Sequence, residues 1–278
     1  MSKLIRLSPT GIEYGDYTWN FASGCGNNID GKCKSGGFKC WAYSISQRFK
    51  NHYPNGFKPT IYPEALLSPL YLKKPSRILC AFMGDLFWGC SEFDPVRKIH
   101  STMPSRKASI TMSLNGWIFT TIKQCPQHTF LFLTKKPQNL NEFSPFPDNC
   151  WVGGTVTNWD MLPDTLYNLK QLGNTTTFIS FEPLLEFIPI DGLNLVKHLI
   201  NWVIIGSQTQ PYKPPKIEWV REIIEACDKA GIPVFLKNNL RDLLVPEALM
   251  DDIFWESEKA KLRQEMPSDA REKVSQQG

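Results

Sequence analysis

Short apolar or β-branched runs recur between Arg77 and Lys237, each closed by a polar or glycine-bearing turn and followed by a stretch of helical character. They read RILCAFMGD (77–85), HTFLFLTKK (128–136), CWVGGTVTN (150–158), TTTFISFEP (175–183), NWVIIGSQT (201–209) and IPVFLKNN (232–239). With the run that starts at Tyr17, seven strands are expected, and several intervals of about 25 residues match a strand, a turn and a crossover helix. The apolarity is continuous rather than alternating, which fits strands buried on both faces of a parallel sheet covered by helices. The segment IEWVREIIEACDKA places Val220, Ile223, Ile224 and Cys227 on one stripe before Gly231, and 160–172 does the same with Leu162, Leu166, Leu169 and Leu172 before Gly173. Each predicts a helix stopped by glycine. Further helices are expected over 41–50 and 110–123, and the proline-bearing stretch 51–76 reads as an irregular connection. One α/β domain over residues 1–250 is therefore expected, with a charged tail over 251–278 whose last dozen residues read as disordered.

In a parallel α/β barrel the strand C-termini and the turns after them form the functional face. Those turns bring Gly24 and Cys25, Gly84 and Asp85, Thr134 with Lys135 and Lys136, Thr155 and Asn158, Ser180 and Glu182, Gly206 with Ser207 and Gln208, and Lys237 with Asn238. Hydroxyls, amides, carboxylates and lysines on one rim suit a polar, charged organic cofactor.

The first of these turns is the richest in chemistry. Cys25, Cys33 and Cys40 stand with seven and six residues between them in a loop that also holds Gly24, Gly26, Gly31, Gly36 and Gly37. Glycines let a backbone fold round an ion or cluster. Three thiolates leave one iron of a four-iron cluster open, whereas a structural zinc site takes four ligands. The residues alone leave three readings: an iron–sulfur loop, a zinc loop, or three unrelated thiols.

Composition narrows the class. Of 278 residues 42% are hydrophobic and 12% aromatic, enough for a real core. No apolar run of about 18 residues stands ready to span a bilayer, and the first residues lack the apolar core of a signal peptide. A cytoplasmic protein without membrane attachment is expected. The other cysteines, Cys80, Cys90, Cys125, Cys150 and Cys227, are scattered, which is no disulfide framework. The net charge is +4, and the tail 251–278 holds seven acids against five bases, so the remainder is more basic still. Arg48, Lys50, Lys58, Lys73, Lys74 and Arg77, interleaved with aromatics, admit nucleic acid as a partner.

Taken in order, TWNFASGC (18–25), the cysteine loop, GDLF (84–87), HTFLFLTKKP (128–137), WVGGTVTN (151–158), SFEPLL (180–185), WVIIGSQ (202–208), WVREIIEAC (219–227) and VFLKN (234–238) resemble the successive motifs of the phage-type three-Cys-motif proteins, a family related to radical S-adenosylmethionine (radical SAM) enzymes. The resemblance implies a partial TIM-type (β/α) barrel of six to seven parallel strands. It implies a [4Fe-4S] cluster on Cys25, Cys33 and Cys40, and S-adenosylmethionine on the open iron. It further implies an unknown substrate and an electron donor such as ferredoxin or flavodoxin. The cofactor-facing positions would then be Trp41, Gly84, Asp85, Thr134, Lys135, Thr155, Ser180, Glu182, Gly206, Gln208 and Lys237. The sequence departs from the family where Cys33 and Cys40 are separated by an enlarged loop and where Ser207 and Gln208 replace glycine and glutamate.

Several of these positions have a plain alternative. Asp85 and Glu182 either grip a cofactor or cap helices and pair with Lys135 and Lys237. Trp19, Trp41, Phe87 and Trp88 either wall the site or simply pack. The function expected is radical SAM chemistry; the competing expectation is a non-catalytic nucleic-acid-associated protein with a metal-stapled loop.

Overall fold

The computed structural model describes residues 6–103, 108–190, 199–248, 254–256 and 261–267. The chain divides into two compact units, Met1–Thr155 with Pro163–Thr176, and Val156–Leu162 with Thr177–Gly278.

In the first unit β1 (Leu7–Pro9) pairs antiparallel with β2 (Tyr17–Trp19), and β2 runs parallel to β3 (Arg77–Cys80), with Thr18 opposite Leu79. A separate antiparallel ribbon follows, β4 (Lys98–Met103) with β5 (Ala108–Ser113). The main ladder then continues through β6 (Thr129–Thr134), beside β3, and β7 (Cys150–Thr155), beside β6, both parallel. The continuous apolar runs are the reason: Ile78, Leu79, Phe130, Leu131, Phe132, Cys150 and Val152 are all buried, as strands covered on both faces require. Trp19 is fully buried, its indole N–H donating to the Ala65 carbonyl at 2.8 Å and its ring 4.5 Å from that of Phe21. Phe87 packs against Phe132, Phe143 and Phe146. For Trp19 and Phe87 the packing reading holds.

The second unit holds β8 (Thr176–Phe181, from Thr177 onward), β9 (Trp202–Ile205) and β10 (Val234–Leu236), again parallel, with Ser180 opposite Ile204 and Ile204 opposite Phe235. Of the five α-helices among the described residues, α1 (Trp41–Arg48) and α2 (Leu114–Lys123) belong to the first unit, and the unit boundary falls within α3 (Met161–Lys170). The second unit holds α4 (Ile217–Ala230) and α5 (Arg241–Ala248). The stripe expected on α4 is buried, and the helix stops at Gly231 in the left-handed conformation (φ 65°).

Among the described residues the ladder strands number eight and are mostly parallel in a mixed α/β fold, with β1 the antiparallel exception. No closed barrel is formed: among the described residues neither unit's ladder closes on itself. The helix expected over 110–123 is shorter, because residues 108–113 are the second strand of the ribbon and Ser113 caps α2 by accepting from Gly116 N–H. Within 251–278, residues 254–256 and 261–267 are described. Phe254 and Leu262 are buried, and the Leu236 N–H donates to the Arg263 carbonyl at 2.8 Å, so this segment lies along β10. The last dozen residues, read as disordered, lie outside the described residues apart from Pro267. Among the described residues no helix is long and apolar enough to cross a membrane.

Candidate functional site

The cysteine loop begins where β2 ends. Ile29–Asp30–Gly31–Lys32 makes a two-residue hairpin in which both Asp30 (φ 48°) and Gly31 (φ 81°) are left-handed, as a tight turn of this hand demands. It pairs Asn28 with Cys33. A second reversal follows, with Cys33 N–H donating to the Phe38 carbonyl and Cys40 N–H to the Gly31 carbonyl, both at 2.8 Å. The seven- and six-residue spacings are thus taken up by two folded turns, which bring Cys33 beside Asn27, the residue that also bonds Cys25.

All three thiols are free. Asn27, which sequence reasoning passed over, ties two of them: its backbone N–H donates to Cys25 Sγ (3.3 Å) and its buried side-chain amide to Cys33 Sγ (3.6 Å) and Ser35 Oγ (2.6 Å). Cys40 caps α1, its sulfur accepting from the Tyr43 N–H at 3.5 Å. Burial pushes the Cys25 thiol up from 9.0 to about 12, aided by the nearby Asp85 carboxylate, and burial also raises Cys40 against the pull of the Tyr43 N–H. Among the described residues, no group of three or more His, Cys, Asp or Glu side chains is arranged to hold a metal ion. The donor set nonetheless fits a soft cation in kind: three thiols, each receiving an N–H donor.

The protonated state of Cys25 has a measurable consequence. In the metal-free, reduced protein at neutral pH, its thiolate population should be about a thousandth of that of an exposed thiol. Iodoacetamide labelling followed by mass spectrometry is expected to show Cys25 reacting far more slowly in the folded protein than in urea; equal rates would contradict the burial. Because the folded value is the higher one, the stabilisation is complete below 9.0 and is lost as pH climbs toward about 12.

Behind the loop stands a buried latch. Gly24 and Gly84 form a parallel bridge between the ends of β2 and β3, with Gly24 N–H donating to the Met83 carbonyl at 2.9 Å. Asp85, buried, accepts from Thr134 Oγ1 (2.8 Å), the Lys135 N–H (2.9 Å) and the Phe87 N–H (3.1 Å). Thr134 in turn accepts from the Lys136 N–H. Burial raises the Asp85 carboxyl, with the three donors acting the other way. Asp85 and Thr134 therefore serve as structural clamps on the turns after β3 and β6. Trp88 packs against Gly26, where a Cβ would lie 1.8 Å from the indole nitrogen, and carries the Lys136 ammonium 4.8 Å from its ring centre. Trp41 is 43% exposed. Thr155, at the end of β7, is buried and its hydroxyl has no hydrogen-bond partner.

The second unit has its own strand-end group. Lys237 pairs with Glu182, the alternative reading for that carboxylate, and Gly206 makes room for the pair, since a Cβ there would come 3.1 Å from Lys237 Cδ and 3.3 Å from Glu182 Cγ. Gln208 donates to the Pro211 carbonyl in a small hairpin. Asn239, also unforeseen, grips the turn after β9, accepting from the Ser207 N–H and donating to the Ser207 carbonyl, each at 3.0 Å. Ser180 and Ser207 are buried with hydroxyls that lack partners. Unpartnered buried hydroxyls cost free energy unless a ligand or water meets them, which makes Thr155, Ser180 and Ser207 the best candidates for ligand contacts.

These features define a mixed α/β protein whose strand-end turns carry a folded three-thiol loop and a set of unsatisfied hydroxyls. The chain belongs to the family DUF5131, described as a protein of unknown function, whose model matches residues 9–241. That description refers neither to radical SAM chemistry nor to phage. No curated protein and no solved structure matches the chain.

Proposed function

We propose that this is an iron–sulfur protein of radical SAM type, with Cys25, Cys33 and Cys40 as the ligands of a four-iron cluster. The observation that supports the reading is the loop itself: three free thiols on one loop folded by two turns beyond the first parallel strand, with Asn27 donating to two of the sulfurs. Binding requires the three thiol side chains to turn toward one point and to lose their protons, which a cluster's positive charge favours. When bound, such a cluster supplies the electron that reductively cleaves S-adenosylmethionine to methionine and a 5′-deoxyadenosyl radical, which takes a hydrogen atom from the substrate.

The protein's own contributions are positional. Asn27 orients two sulfurs, the Asp85 latch holds the turn that packs Trp88 on the loop, and Thr155 offers an unmet hydroxyl to a polar cofactor. A ferredoxin- or flavodoxin-like donor would deliver the electron.

Anaerobic reconstitution with iron and sulfide is expected to give a brown protein with about four irons per chain. Dithionite and S-adenosylmethionine should then release 5′-deoxyadenosine. Replacing Cys25, Cys33 and Cys40 together by alanine should abolish both, while Cys90→Ala should retain both. A colourless protein, or one that binds zinc alone, overturns the proposal. Iron bound without 5′-deoxyadenosine would leave a metal-stapled loop and remove the radical chemistry.

A further inference from the structure

The β4–β5 ribbon is two-faced. One face presents Ile99, Ser101, Ile110 and Met112, with Ile99 buried; it is held by the Trp117 indole N–H donating to the Ile99 carbonyl (2.8 Å) and by Ser101 Oγ donating to the Pro63 carbonyl (3.2 Å). The other face pairs Lys98 with Ser113, His100 with Thr111 and Thr102 with Ser109. All of these except the half-buried Ser113 are exposed. His100 Nδ1 lies 3.1 Å from Thr111 Oγ1, so the outward side chains are already laid out as a hydrogen-bonding row.

The sequence that holds this row is basic between Asp94 and Glu142. Residues 95–141 contain Arg97, Lys98, Arg106, Lys107, Lys123, Lys135 and Lys136 and no aspartate or glutamate, whereas 27 acids in 278 residues would place four or five in a stretch of that length. The segment on which the ribbon leans, through Pro63, is itself basic: Arg48, Lys50, Lys58, Lys73 and Lys74 are exposed, and its one acid, Glu64, pairs with Arg6 at 4.0 Å.

We propose that the outward face of β4–β5 docks duplex DNA. Lys98 and His100 would meet backbone phosphates, and Thr102, Ser109 and Thr111 would add the hydroxyl contacts common to phosphate recognition. A two-stranded ribbon fits the B-form major groove, about 12 Å wide, whereas the deep, narrow major groove of A-form RNA excludes it. Six residues per strand reach about 20 Å, roughly half a turn of duplex or more. The proposal is independent of the cluster reading, because the docking face holds none of the three thiols.

The test is fluorescence anisotropy of the full chain with a labelled random-sequence duplex of about 20 base pairs, titrated at rising salt. Binding is expected at low salt and should weaken steeply as salt rises. The double variant K98E/T111E, at exposed positions, should lose affinity about 10- to 100-fold and show a shallower salt slope, with an unchanged circular dichroism spectrum. Lys170→Glu, an exposed reversal on α3, should leave binding unchanged. No binding at low salt, equal binding by K98E/T111E and wild type, or tighter binding of single-stranded DNA or of RNA would each overturn it.

Discussion

Replacing Asp85 by alanine is expected to destabilise the first unit by about 3–5 kcal/mol, the range for breaking a buried hydrogen-bond network. The change strands three donors at once, the Thr134 hydroxyl and the Lys135 and Phe87 N–H groups, in a place water does not reach. Asp85→Asn should cost less, about 1–3 kcal/mol, because one amide oxygen still serves Thr134 and Phe87 while the amide nitrogen faces the Lys135 N–H. The two variants also separate charge from shape. Burial raises the Asp85 carboxyl in the folded protein, so its stabilisation is fullest below the unfolded carboxyl's value and declines as pH rises through the raised one. Urea denaturation of wild type and Asp85→Asn across the acid range should therefore show the wild-type advantage shrinking as pH increases; an advantage that grows would mean the carboxylate is the favoured buried form.

The second large effect is expected at Gly84. A Cβ there would meet Gly24 O at 2.1 Å and Gly24 N at 2.8 Å, atoms of the opposing backbone that no rotamer change can move. Accommodating a methyl group means parting the ends of β2 and β3, with loss of the Gly24–Gly84 bridge and of the order it gives the start of the cysteine loop. Overpacking against side chains costs about 1–3 kcal/mol, and a rigid backbone neighbour places Gly84→Ala at or above the top of that range. Gly11→Ala is the matching control, since nothing lies within 4 Å of its Cβ position and it should be nearly neutral. Thermal melts of the two variants decide the matter: similar melting temperatures would show that the strand ends part freely.

Much of the ladder was legible because buried parallel strands have an unmistakable signature. RILC, TFLFLT, TFISF, WVII and VFL each became a strand because apolar residues fill the run up to the turn, with Ser180 the one polar residue inside it. The ribbon escaped notice for the opposite reason. KIHSTM has a polar residue, Ser101, where the alternation calls for an apolar one, and the strictly alternating ASITMS runs straight into the apolar stretch of the next helix. Ile110, Leu114, Trp117 and Ile118 then mimic a helical stripe across the boundary, although Ser113 before Gly116 marked the true start. In the loop the cysteines were evident but the Asp30–Gly31 turn that shapes it was not used, despite being a strong hairpin signal. Asn27 and Asn239 were beyond reach, because what makes them matter is partners contributed by backbone and sulfur atoms that only the folded turns supply. Asp85 was expected either to grip a cofactor or to cap a helix and pair with Lys135; its carboxylate accepts from the Thr134 hydroxyl and from the Lys135 and Phe87 N–H groups.

Under the proposed function Cys40 would hold two offices that ask for different atoms. As the residue that begins α1 it needs only an acceptor for the Tyr43 N–H, and oxygen does that better than sulfur. As a donor to a soft ion it needs the sulfur. Serine at this position would keep the helix wound while stripping the loop of one third of its thiol complement, and alanine would take away both, so the pair dissects architecture from chemistry at a single side chain.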